Sequence, residues 1–203
     1  MTRRTRLSLA PSARRSRVST RALIIRATLT HVTPVIWREI RVPEHYALAQ
    51  LHRVLQLAFG WLDCHLYSFI VGRMQYADPR AEIGALDATR VTLADLALTA
   101  KAKLTYLYDC GDDWKHALVV QRVVDRLPDD GALPALLGGA RSGPPEDSGG
   151  PHGYEQLLAA RSDPTHPEHD DAVSWIGLSF DPDVFDLRSS ANARTMAAAR
   201  GAI

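Results

Sequence analysis

Apolar and polar residues alternate over several stretches of the first 125 residues, as in strands that bury one face. In Arg21–Val32 (RALIIRATLTHV), Ile24, Arg26, Thr28 and Thr30 alternate with Ile25, Ala27 and Leu29, and Pro34 ends the run. Val35–Val42 sets Val35, Trp37, Glu39 and Arg41 against Ile36, Arg38, Ile40 and Val42, and Pro43 closes it. The period then becomes helical. Leu48, Leu51, Leu55 and Phe59 are spaced at helical steps, Val54 and Ala58 lie beside them, and Gly60 is the stop. His65–Val71 predicts another strand. Thr92 predicts the cap of a short helix through Leu98, with Asp95 in the first turn where the dipole favours an anion. Lys103–Asp109 and Trp114–Val124 both alternate, and Cys110-Gly111-Asp112-Asp113 between them supplies turn chemistry. The pair predicts a β-hairpin.

Gly131–Gly153 holds much of the chain's Gly and Pro and predicts a long loop. Short helices are expected over Tyr154–Ala160 and Pro167–Ile176, then a C-terminal piece from Pro182 that runs into Ala-rich sequence. Strands dominate the first half and helices the second, without βαβ alternation. The expected fold is therefore α+β: a mainly antiparallel sheet, one long amphipathic helix early, and short helices in the C-terminal third. No internal repeat is visible, and 203 residues suit a single domain.

Charge divides that domain from its leader. Residues 1–26 carry eight arginines and no acid, which leaves 16 basic residues against 23 acidic ones, a balance of −7, in the rest. Residues 1–18, rich in Arg and Ser and without apolar periodicity, are expected to be a disordered arm, with 19–203 as the domain. An acidic body is a poor electrostatic match for DNA, so nucleic-acid contact is expected only through the arm, weakly and without sequence preference. No apolar run approaches the roughly 18–20 residues of a membrane span, and no secretory core is present, so a cytoplasmic location is expected.

Three segments carry candidate chemistry. On the hairpin, Trp114 and His116 share a face, as do Tyr106 and Tyr108, while Asp109 and Asp112 flank Gly111 at the turn. Carboxylates and an imidazole so placed suit a divalent metal or a proton shuttle. The same aspartates equally suit a turn held by side chain-to-backbone bonds, with Trp114 in the core. In Pro144-Pro145-Glu146-Asp147-Ser148-Gly149-Gly150-Pro151, two prolines and two glycines hold Glu146 and Asp147 in one geometry, as a ligand site or an internal brace requires. In Asp163–Asp171, His166, His169 and Asp170 are at metal-ligand density, and His166 and Asp170 would share a helical face if the helix began that early. Pro167 and Glu168 there also read as a plain helix start. No Walker loop, Gly-x-Gly-x-x-Gly, His-Glu-x-x-His or Gly-x-Ser-x-Gly occurs, so no cofactor is evident. Cys64 and His65, neighbours in a predicted strand, face opposite ways and make a poor nucleophile–base pair.

Taken in order, these motifs resemble the plasmid pRiA4b ORF-3-like family, which includes insertion-sequence passenger proteins labelled TnpR. The matching pieces are Pro34-Val35-Ile36-Trp37-Arg38, Leu51-His52, Phe59-Gly60-Trp61, His65-Leu66, Tyr108-Asp109-Cys110-Gly111-Asp112, Trp114 and His116. Pro144-Pro145-Glu146-Asp147, Gly149-Gly150, Gly153-Tyr154, Asp163-Pro164, His166, Trp175, Phe180-Asp181-Pro182 and Phe185-Asp186 complete the set. The resemblance spans about residues 20–195 and implies an α+β domain of that type, with no defined activity. Many relatives carry cysteines in and before the Pro-Pro loop, where this chain has Leu136, Gly143 and Ser148, which argues against a thiolate metal site there. Cys110 stands where an aromatic is usual. A serine recombinase needs an activated serine beside an arginine cluster on a catalytic fold, and Ser8, Ser12, Ser16 and Ser19 lie in or beside the arm.

Two readings follow. The first is a cytoplasmic interaction or accessory module linked to plasmids and mobile elements, with a protein or small ligand as partner and no membrane contact. It leans away from catalysis. The second is a metal-binding or hydrolase-like site built from Asp109, Asp112, His116, Glu146 and Asp147. That cluster expects the hairpin turn and the Pro-Pro loop to meet, and its crowded acids to be offset by a protonated His116, by Arg38 or by a cation.

Overall fold

The alternating stretches pair into one eight-stranded sheet in the computed structural model, which describes residues 21–81, 84–125 and 134–187. The strands are β1 (Ala22–Leu29), β2 (Trp37–Pro43), β3 (Tyr67–Val71), β4 (Met74–Ala77), β5 (Leu86–Asp87), β6 (Lys103–Tyr108), β7 (Trp114–Val124) and β8 (Ala135–Ala140), and the helices are α1 (Leu48–Phe59), α2 (Gly150–Ser162) and α3 (His169–Ile176). Strand order is β5-β4-β3-β6-β7-β1-β2-β8. All neighbours are antiparallel except β4 and β5. The fold is α+β, and no helix among the described residues is long and apolar enough to cross a membrane.

Register explains which face is core. Ile25 pairs with Val120, Ala27 with Leu118 and Leu29 with His116. Across the next ladder Leu104 pairs with Leu118, Tyr106 with His116 and Tyr108 with Trp114. Side chains of paired residues share a face, so one alternation buries all of them together. Helix α1 lies over this face: His52 stacks on Tyr67 with centroids 3.7 Å apart, and Phe59 meets His116 edge-on at 4.7 Å. Each large side chain removed from water here contributes roughly 1.5–3 kcal/mol. Leu48 and Ala49 donate their N–H groups to Val91 and Ala88 carbonyls, which cap α1 in place of a side chain. At the other end Gly60 takes a left-handed conformation (φ 86°) and its N–H closes onto Gln56 O. Buried Arg38 also serves that end, donating to Ala58 O at 2.7 Å as well as to Trp37 O and Ala140 O. Burial lowers its pKa to about 10.

Several expectations need correction. The early helix has the expected bounds but only 12 residues, so it is not long; α2 has 13. Thr92 and Asp95 make reciprocal cap-type bonds, but the segment stays a turn, with Ala97 left-handed at φ 47°. Strand β8 lies inside the stretch read as loop. Its sequence, ALLGGA, has no β-branched residue, and a ring stands where a Cβ at 139 would go: Phe185 Cζ is 2.6 Å from that point. Strands β4 and β5 are too short to show a period. The arm at 1–18 and the Ala-rich tail lie outside the described residues.

Candidate functional site

The turn that joins β6 to β7 is built by aspartates. Asp109 Oδ1 accepts the Gly111 N–H at 2.8 Å, and the Asp109 carbonyl accepts from Asp113 N at 2.8 Å. Asp109 and Asp113 are left-handed (φ 59° and 51°), a region in which Asp costs less than most residues. The turn is also tied to the chain before β3, since Asp109 N donates to Leu66 O at 3.0 Å.

The Pro-Pro loop docks against that turn. Trp61 Nε1 donates to Pro144 O at 2.8 Å, and Ser148 Oγ donates to Pro145 O at 2.8 Å. Gly149 N donates to Asp112 Oδ2 at 3.1 Å. Gly150 follows at φ 68°, and a Cβ there would lie 2.2 Å from the Asp112 carbonyl oxygen, so only glycine allows the two backbones so close. Glu146 Oε1 accepts from Leu62 N at 2.8 Å and from Tyr108 OH at 3.0 Å. Burial, reinforced by Cys64 and Glu146, pushes the Tyr108 phenol up, so it remains a donor.

These anchors bring two ligand-spaced sets together at His65, one with Asp109 and Asp147 and one with Cys64 and Glu146. His65 Nε2 lies 3.0 Å from Asp147 Oδ1, 3.4 Å from Asp109 Oδ2 and 4.0 Å from Glu146 Oε2. None of these approaches is aligned as a hydrogen bond, and both His65 Nε2 and Glu146 Oε2 are buried without a hydrogen-bond partner. Asp109 and Glu146 thus each commit one oxygen to the backbone and turn the other toward the imidazole. Cys64 and His65 precede β3 rather than alternate within it, so they do not face opposite ways as expected, and Cys64 Sγ is within reach of His65 and Glu146. Its thiol is pushed up, chiefly by desolvation and against the bond to Tyr108, so it is held protonated.

The candidate residues separate accordingly. Asp109, Glu146 and Asp147 surround His65; Asp112 holds the loop backbone. His116 lies elsewhere, which corrects its place in the expected cluster. Alternation turns it inward among Phe59, Trp61 and Tyr106, and burial lowers its pKa to about 3. It is neutral rather than a protonated counter-charge. Arg38 is committed to the end of α1. In the third segment, Glu168 N donates to His166 Nδ1 and His169 Nδ1 donates to Ala160 O, while α3 starts at His169. His166, His169 and Asp170 do not join any convergent ligand set among the described residues. His65 was missed because its partners are distant in sequence. The register that pairs Tyr67 with Tyr108 is the signal that sets residue 65 beside the turn.

A second polar network lies deeper. His52 Nδ1 is 2.7 Å from Tyr106 OH and its Nε2 is 2.6 Å from Asp63 Oδ1. Gln56 Nε2 donates to Tyr106 OH at 2.9 Å, and Gln56 Oε1 accepts from Asp63 N at 2.9 Å. Burial lowers the His52 pKa despite Asp63, and the bond to His52 lowers that of Asp63.

Comparison with known proteins places the whole described body in one group. The family model for plasmid pRiA4b ORF-3-like protein matches residues 21–189. The uncharacterized protein y4hQ of Sinorhizobium fredii (strain NBRC 101917 / NGR234) is 39% identical over 158 residues, covering 76% of this chain and 80% of that protein. The crystal structure of MM3350, a protein of unknown function from Methanosarcina mazei Go1, superposes with a TM-score of 0.76 at 31% identity, over 83% of this chain and 96% of that one.

Proposed function

The chain belongs to the plasmid pRiA4b ORF-3-like family, and from that premise we propose that it is a cytoplasmic accessory module linked to plasmids and mobile elements, which binds a basic partner segment. The observation that carries this reading is a cleft of about 400 Å³ between α2 and α3. Asp147, Glu168 and Asp171 line it with Gln156 and Trp175, over a floor that includes Leu157, and no Lys or Arg is among the lining residues. Trp175 is 51% exposed, which leaves its indole free to receive a guanidinium or ammonium group. Carboxylates beside an aromatic face over an apolar floor suit an arginine or lysine side chain, whose stem is apolar and whose head is charged.

The test is a fluorescence titration of the full chain with hexa-arginine, with hexaglutamate as control. Hexa-arginine is expected to change the Trp175 signal, and Trp175→Phe to remove that change. Glu168→Gln with Asp171→Asn should weaken binding about three- to tenfold, as for rim ion pairs. Raising salt from about 0.1 M to about 0.5 M should weaken it further. Affinity undiminished in the double variant, or preference for hexaglutamate, would overturn the reading.

A further inference from the structure

We propose that His65, Asp109 and Asp147 form a binding site for one first-row divalent cation of the Mn²⁺ or Zn²⁺ kind. The distances have the form of a coordination shell. Two donors each about 2.1 Å from a shared ion stand about 3.0 Å apart at a right angle and about 3.4 Å apart at the tetrahedral angle. His65 Nε2 is 3.0 Å from Asp147 Oδ1 and 3.4 Å from Asp109 Oδ2, and ligand atoms of the three residues lie within 4.8 Å of one another.

Hydrogen bonding among these groups does not account for the arrangement. An imidazole Nε2 at 3.0 Å from a carboxylate ordinarily points its proton at it, yet this nitrogen is aligned with neither aspartate. Glu146 Oε2 is buried and likewise unpartnered. Most buried polar atoms are paired, so a buried Nε2 approached by two aspartate oxygens without a bond to either has capacity for a third party. No Lys or Arg is ion-paired with Asp109, Glu146 or Asp147 among the described residues; His65 alone approaches them.

The surroundings resemble the outer support of a metal site. Gly111 N fixes Asp109 through Oδ1, so that carboxylate is oriented before an ion arrives. Asp147, whose side chain is 70% exposed, stands at the rim and leaves an entry path. One imidazole with two carboxylates favours first-row divalent ions over Mg²⁺ and Ca²⁺, which prefer all-oxygen shells. The site stands independently of peptide binding in the α2–α3 cleft, although Asp147 belongs to both.

The experiment strips the full chain with a chelator and follows thermal unfolding and calorimetric titration with Mn²⁺, Zn²⁺, Mg²⁺ and Ca²⁺. Mn²⁺ or Zn²⁺ should bind one ion per chain and raise Tm saturably. Asp147→Asn and His65→Gln should each lower the affinity at least about tenfold, and Asp170→Asn, at an exposed acid outside the set, should leave it unchanged. Mn²⁺ should also broaden the His65 ring resonances, a readout that a bracing role would not produce. Absence of stabilisation by any of the four ions, equal or stronger binding of Mg²⁺ or Ca²⁺, or undiminished affinity in both Asp147→Asn and His65→Gln would overturn the assignment.

Discussion

Two histidines thirteen residues apart stand in opposite relations to their neighbours. His52 and His65 each meet an aspartate and lie near a tyrosine, and Asp63 and His65 flank the same cysteine. Around His52 every polar group closes on another: Gln56 donates to Tyr106 OH, the phenol meets Nδ1, Nε2 meets Asp63, and the Asp63 N–H returns to Gln56. Around His65 the circuit stays open at Nε2 and at Glu146 Oε2. A closed network can brace a fold without a ligand, because nothing in it is left to satisfy. An open one held by backbone bonds on its outer side has capacity for something else. Residue types alone would not separate the two; the completeness of their bonding does.

That contrast can be tested in order of expected effect. The largest concerns the buried imidazoles. A histidine whose folded pKa lies below its unfolded value excludes a proton that the unfolded chain accepts, so stability falls as pH drops below about 6.5. His116, lowered to about 3, should cost about 1.4 kcal/mol per pH unit across the window from about 6 to about 4. Urea unfolding of His116→Phe at both pH values should show a shallower dependence, by about 3 kcal/mol in all; an unchanged slope would mean that His116 accepts its proton in the fold. Next, Tyr106→Phe opens the closed network and strands His52 Nδ1 and Gln56 Nε2, which should cost about 2–3 kcal/mol in the same assay. Smaller again is Glu146→Ala, which leaves Leu62 N and Tyr108 OH without their acceptor and should cost about 1–2 kcal/mol. Glu146→Gln retains an acceptor oxygen and should cost less. The smallest is Asp147→Asn in metal-free protein, expected within about 0.5 kcal/mol because the exposed carboxylate has no anchoring bond. A loss above about 2 kcal/mol there would make the open cluster a brace like the closed one.

Legibility in the sequence follows the same division. The hairpin and α1 could be read to the residue or nearly so, since a helical period and a turn of Cys110-Gly111-Asp112-Asp113 are local signals. Strand β8 could not, because it is made by the edge of β2 and by Phe185 rather than by its own residues. In the candidate site, Asp109, Glu146 and Asp147 were visible as acids at constrained turns. His65 was not, and His116 was assigned to the wrong side of the molecule's chemistry. Its alternation with Trp114 was plain, but whether that shared face met water or α1 was not.

What the sequence determined by itself is therefore the set of elements with strong local period, and the loops in which proline, glycine and aspartate restrict the backbone. Those preferences arise between residues a few positions apart and act before the chain is compact. Only the tertiary structure decided which polar groups would be completed and which left open. Residues 65, 109 and 147 meet because Tyr67 pairs with Tyr108 and because the loop docks on Asp112, contacts that span 37 or more positions. Burial and bonding depend on the arrival of such distant partners, and those give a histidine its charge and a carboxylate its free oxygen.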